Sequence, residues 1–147
     1  DMLSYHLTGD SAGMTAASLL KNPFDTVNNA VQLKEAERLY LVNCGICHGT
    51  KLDGNGPLWK NGDGPYPAAP KNLTAADAIA FPDGHYFHVI TFGKGQMGSY
   101  ASQLRPEQRW WVIKYIRSKQ GGGGAAAKDS TGAMAKTAGA DSTKTTK

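Results

Sequence analysis

The sequence has 147 residues, a formal net charge of +4, 40% hydrophobic and 19% charged residues, which suits one modest globular domain with polar extensions and excludes two. No stretch approaches the ~18 apolar residues of a membrane span, and the basic residues form no run and meet no array of stacking aromatics, which excludes a nucleic-acid footprint. Residues 1–26 hold one Lys against three Asp, residues 27–120 eleven Lys and Arg against seven Asp and Glu, and residues 121–147 four Lys against two Asp; this reads as solubility with steering toward an acidic protein partner.

In chain order, residues 15–21 carry Ala16, Ala17, Leu19 and Leu20 at helical spacing, and Asn22-Pro23 stops them after about two turns. With Met2, Leu3, Tyr5, Leu7, Met14 and Phe24, residues 1–26 read as an N-terminal arm whose apolar content needs a partner surface. Residues 27–43 place Val31, Leu33, Ala36, Leu39, Tyr40 and Val42 at three- and four-residue steps, predicting an amphipathic helix that runs into Cys44. Residues 50–72 contain Gly54, Gly56, Pro57, Gly62, Gly64, Pro65, Pro67 and Pro70 and predict a long loop. A short helix is expected over 74–79 with Thr74 as N-cap. Another covers 83–92, with Tyr86, Val89 and Ile90 on one face and the glycines from Gly93 as its stop. The last begins at Pro106 and reaches Lys119, with Trp110 on the buried face and Trp111 partly exposed. The Gly121–Gly124 run then opens a tail without Leu, Ile, Val or aromatics, expected to be flexible. Few segments alternate with period two, so the fold is expected to be all α. A loop of more than 20 residues in so small a domain implies that something other than side chains fills the middle.

The chemistry lies in Cys44-Gly45-Ile46-Cys47-His48, the Cys-x-x-Cys-His spacing that attaches a c-type haem. Two sulfurs one helical turn apart can form thioethers to the two vinyl groups of one porphyrin, and the adjacent imidazole then lies under the iron. A zinc site needs two further ligands at suitable spacing, and a thioredoxin-like dithiol needs a strand before the pair. For the opposite axial ligand the candidates are His6, His85, His88, Met2, Met14, Met97 and Met134. Most lie in the arm or the tail. His85 and His88 read as the polar, solvent-facing edge of their helix. Met97 stands in Gly93-Lys94-Gly95-Gln96-Met97-Gly98, where glycines let the backbone approach a flat porphyrin. Ligation is preferred there to a core gap-filling role. Trp59, Tyr66 and Arg105 read as loop packing or solvated charge at least as readily as haem-propionate contacts.

The set Cys44-x-x-Cys47-His48, Gly56-Pro57, the Met97 loop with Tyr100, and Arg109-Trp110 through Tyr115-Ile116-Arg117 resembles a class I monohaem cytochrome c domain over about residues 27–120. Class I domains often carry Gly four residues before an aromatic where the first helix crosses the last; here Ala36 precedes Tyr40. The Asn22-Pro23 lead-in, Leu39-Tyr40, Val89-Ile90-Thr91 and Met97-Gly98-Ser99-Tyr100 further resemble the monohaem subunit of alternative complex III, a bacterial membrane quinol:electron acceptor oxidoreductase.

The resemblance implies short helices packed around one covalently bound haem c, with His48 and Met97 as axial ligands of a six-coordinate iron and the Pro57 carbonyl accepting the His48 ring N–H. It also implies electron transfer without bond-making catalysis, and partners that are other subunits of a respiratory membrane complex and redox proteins. A soluble or oxidase-linked carrier is the alternative, and a ligand-binding or peroxidatic haem protein a further one. A periplasmic location is expected, with an export signal, and the cysteine of any lipid anchor, upstream of Asp1. The expected organisation is a docking arm (1–26), a cytochrome domain (27–120) and a tail (121–147).

Overall fold

Helices begin where a side chain takes up the first orphan amides. In the computed structural model, which describes residues 6–26 and 28–120, Asp10 caps α1 (Ser11–Ala17) by accepting from Gly13 N at 2.8 Å. Asn29 caps α2 (Ala30–Asn43) by accepting from the amides of Val31 and Gln32. α3 (Gly45–His48), α4 (Ala76–Ala80), α5 (Asp83–Phe92) and α6 (Pro106–Lys119) follow. Among the described residues there is no strand, only an isolated bridge between Lys94 and Met97, so the all-α expectation holds. Residues 1–5 of the arm, with Met2, and the tail, with Met134, lie outside the described residues.

Two helix starts differ from expectation. α1 begins before Thr15, because Asp10 captures the chain earlier. Thr74 is not the cap of α4: its amide and hydroxyl both donate to Asn72 Oδ1, at 2.9 and 2.6 Å, and this local turn delays the helix to Ala76.

α2 packs across α6 at Ala36, Leu39 and Tyr40, all buried, so a methyl group at position 36 is small enough for the crossing. Tyr40 rests against Tyr115 with ring centroids 5.3 Å apart and donates its hydroxyl to the Gly49 carbonyl at 2.8 Å. Trp110 is buried and stacks on Phe87 at 4.2 Å, joining α6 to α5. Trp111 is partly exposed and meets Phe24 edge-on at 6.1 Å. Each such large apolar side chain contributes roughly 1.5–3 kcal/mol when fully buried.

The arm finds much of its surface within this chain. Ala17 is fully buried against α5, where a Cβ on Gly84 would fall 1.6 Å from the Ala17 carbonyl, so only glycine permits this approach. Asn22, 6% exposed, donates to the Trp110 carbonyl at 2.9 Å and accepts from Phe24 N, while Lys114 Nζ donates to the Phe24 carbonyl. Among the described residues of the arm, Leu19, 82% exposed, and Leu20 beside it stay outside this packing.

Candidate functional site

α2 ends at Asn43 and the chain turns directly into the single helical turn of α3, which places Cys44 and Cys47 on consecutive positions of one ridge and His48 at its end. Both thiols are free. Burial pushes the Cys44 thiol up to about 12, the neighbouring Cys47 sulfur adding to it, and burial raises Cys47 as well. A reactive dithiol centre has a depressed thiol pKa, and burial here acts in the opposite direction. Among the described residues no group of three or more His, Cys, Asp or Glu converges to hold a metal ion.

His48 Nδ1 lies 2.8 Å from the Lys71 carbonyl. A carbonyl only accepts, so Nδ1 carries the proton and Nε2 keeps its lone pair for a metal. Burial lowers the His48 pKa, partly opposed by that carbonyl, and the ring is held neutral. The resemblance assigns the acceptor as the Pro57 carbonyl; in the structure it is Lys71, because the loop returns to α3 at residues 70–72 while Pro57 is exposed.

The long loop is built on α3. Gly54 N donates to the His48 carbonyl at 2.8 Å, Gly56 N to Cys47 at 3.0 Å and Leu58 N to Ile46 at 3.1 Å, so the loop satisfies the carbonyls at the end of a helix too short to satisfy its own. A Cβ on Gly56 would stand 2.4 Å from the Ile46 carbonyl, which explains glycine there. Farther on, Tyr66 N donates to the Leu58 carbonyl at 2.9 Å and Leu73 N to Leu52 at 2.8 Å.

After α5, Gly93 turns the chain at φ +81°, and Lys94 and Met97 exchange both backbone hydrogen bonds, N to O, at 2.9 and 3.0 Å. This tight turn presents the half-buried Met97. Its downstream side is anchored: Ser99 Oγ donates to the Thr91 carbonyl, Tyr100 N to Ile90 at 2.9 Å, and the buried Arg109 spans the Leu104 and Ala101 carbonyls and the Thr91 hydroxyl. Burial raises the Tyr100 pKa, and the Cys44 and Cys47 sulfurs and the Tyr66 hydroxyl add to the effect. The Met97 turn is linked to the Cys-x-x-Cys-His segment through the loop, where Leu58 N donates to the Ile46 carbonyl, Tyr66 N to the Leu58 carbonyl, and the Tyr66 hydroxyl to the Gln96 carbonyl.

Of the other ligand candidates, His6 is exposed and the two histidines of α5 are drawn into packing. His88 is not a solvent-facing edge: it is 3% exposed and tilts against Phe92 at 4.9 Å. His85 stacks on Phe81 at 4.1 Å. Arg105 pairs with Glu107 at 2.9 Å. Tyr66, read from sequence mainly as loop packing, donates its hydroxyl to the Gln96 carbonyl inside the Met97 turn. Lys71 acts through its backbone and has no sequence signature, although the Asn72 turn beside it marks a fixed bend.

The donor set, two protonated thiols one turn apart beside an imidazole with a free Nε2, fits a covalently attached haem. The family described as cytochrome c oxidase, cbb3-type, subunit III matches residues 31–116, more than half of the chain. The chain belongs to that family. It is thus a cytochrome c-type electron-transfer protein, and membership implies covalently bound haem c. Among solved structures, a chain of the reducing HAO-like protein complex of Kuenenia stuttgartiensis matches at 20% identity with a TM-score of 0.53, over 68% of this chain and 49% of that one. Cytochrome cL of Methylophaga aminisulfidivorans matches at 22% identity and TM-score 0.49, over 67% and 60%, and cytochrome cL of Hyphomicrobium denitrificans at 26% and 0.43, over 58% and 46%. The chain spans less than two thirds of each of these proteins. No curated protein matches it. No helix among the described residues of this cytochrome is long and apolar enough to cross a membrane.

Proposed function

We propose that this cytochrome c is a one-haem electron-carrying subunit of a quinol-oxidising membrane complex of the alternative complex III type, working on the periplasmic side. In this reading Cys44 and Cys47 would tether the haem through thioethers, and His48 Nε2 and Met97 Sδ would hold its iron. The bound haem supplies a one-electron ferric/ferrous couple. The Lys71 carbonyl fixes the tautomer and orientation of the His48 ring. Met97, a thioether in place of a second imidazole, favours the ferrous state and raises the potential, which suits acceptance of electrons from a quinol-oxidising chain. Pro57 remains a candidate haem contact, apart from the His48 hydrogen bond.

The observation that supports the axial assignment is the Tyr66 hydroxyl bond to the Gln96 carbonyl, which ties the Met97 turn to the loop seated on the attachment helix. Met97→Ala in the holoprotein is expected to lower the reduction potential and to open the iron to carbon monoxide or cyanide; a variant with the native spectrum and no adduct refutes Met97 as ligand. For the subunit assignment the support is the lead-in around Asn22-Pro23 and the exposed Leu19. Leu19→Asp is expected to leave spectrum and stability unchanged while the chain is lost from the membrane complex on purification, and full retention argues against it.

An oxidase-linked carrier is the second reading, favoured by the description of the matching family. Purification of the native assembly separates the two: quinol-dependent reduction of the chain supports the first, and co-purification with oxygen-reducing activity alone supports the second.

A further inference from the structure

The geometry points to Tyr66 as a positioning residue that latches the Met97 turn to the haem-attachment helix. The inference rests on Met97 being the sixth ligand. The tip of the turn, residues 94–96, is exposed, with Gly95 at φ +58° and open space around it. Behind it the chain is secured by Ser99, Tyr100 and Arg109. The tip itself is held from across the site, where Tyr66 Oη donates to the Gln96 carbonyl.

Tyr66 is a fixed post. Its own amide donates to the Leu58 carbonyl at 2.9 Å, and Leu58 N donates to the Ile46 carbonyl at 3.1 Å. Ile46 lies between Cys44 and Cys47. An unbroken path therefore runs from the attachment helix through Leu58 and Tyr66 to the peptide preceding Met97, and it joins the two sides from which His48 and Met97 would reach one iron. The loop of residues 50–72 thus acts as a strut: with the path intact, the turn carrying Met97 cannot drift from the attachment helix without breaking a hydrogen bond. The Tyr66 hydroxyl is the one side-chain atom in the path, so it can be removed without disturbing the backbone.

The test uses the haem-loaded ferric protein and imidazole as a competing ligand, whose apparent affinity rises with the fraction of chains in which Met97 is off the iron. Tyr66→Phe is expected to tighten imidazole binding about five- to tenfold, the effect of losing one hydrogen bond. In a Met97→Ala background the same change is expected to leave imidazole affinity unaltered, which a general loosening of the loop would not do. Unchanged affinity in the first case, or an equal effect in both backgrounds, overturns the latch. If Met97→Ala alone keeps the native spectrum, the ligand assignment fails first and the latch with it; if Met97→Ala opens the iron while Tyr66→Phe does nothing, only the latch fails. Should Tyr66→Phe not retain haem, 3-fluorotyrosine at position 66, which keeps the ring and makes the hydroxyl a stronger donor to the Gln96 carbonyl, decides instead: weaker imidazole binding supports the latch, and unchanged or tighter binding overturns it.

Discussion

The side-chain amide of Asn22 donates to the Trp110 carbonyl at 2.9 Å, across 88 positions of sequence, and its oxygen accepts from Phe24 N. One buried side chain thus ties the N-terminal segment to the terminal helix at the point where Trp110 enters the core. Asn22→Ala removes both bonds and is expected to cost about 1–2 kcal/mol, read as a lower Tm of the holoprotein together with faster proteolysis before residue 26. An unchanged Tm means that the two Asn22 bonds add nothing to the domain.

Arg117 forms a second tie. Its Nε donates to Asp83 Oδ1 at 2.7 Å, its other nitrogens reach the Ile79 and Phe81 carbonyls at the end of α4, and its guanidinium lies 4.8 Å from the Tyr86 ring centroid. A lysine keeps the charge but cannot serve these acceptors together. Arg117→Lys is expected to destabilise by roughly 2 kcal/mol, less than full removal of a buried partner because the pair is partly wet, and denaturant unfolding measures it.

Gly56→Ala places a methyl group against the Ile46 carbonyl at 2.4 Å, a backbone atom that cannot swing aside. The loop must lift from the attachment helix, at an expected cost of about 1–3 kcal/mol. The yield of haem-loaded protein should fall with it. A variant of wild-type stability and yield contradicts the role of the loop as cover for α3.

The histidines of α5 set a pH dependence. Burial holds both His85 and His88 below the ordinary imidazole value; the Asp10 carboxylate partly opposes this at His88, and Lys94 and His88 add to it at His85. The unfolded chain then binds more protons than the folded one as pH falls through about 6.5. Stability is full above that value, declines as pH drops from it toward the depressed folded values, and levels off below them. His88→Gln should flatten this decline in denaturant titrations between about pH 7 and 5.

Local marks made part of this molecule legible. α5 and α6 begin at Asp83 and Pro106 and stop at Phe92 and Lys119 as expected, because proline, glycine and helical spacing act within a few residues. The Cys44-Cys47-His48 cluster was legible for the same reason. His88 was misread because α1, distant in sequence, packs against α5, which no local pattern reveals. The seat of α1 escaped because it depends on the missing side chain of Gly84. The His48 acceptor escaped because every residue has a backbone carbonyl, and only the path of the loop selects that of Lys71.

Haem attachment through Cys44 and Cys47 is the claim on which the rest stands, and the intact mass of the chain after denaturation, made in a host that matures c-type cytochromes, tests it most directly. The account predicts the mass of the polypeptide plus a single haem, with attachment weakened by Cys44→Ser or Cys47→Ser and abolished when both are changed. A chain recovered at its bare polypeptide mass, or one whose haem stays covalently bound in the double variant, contradicts it.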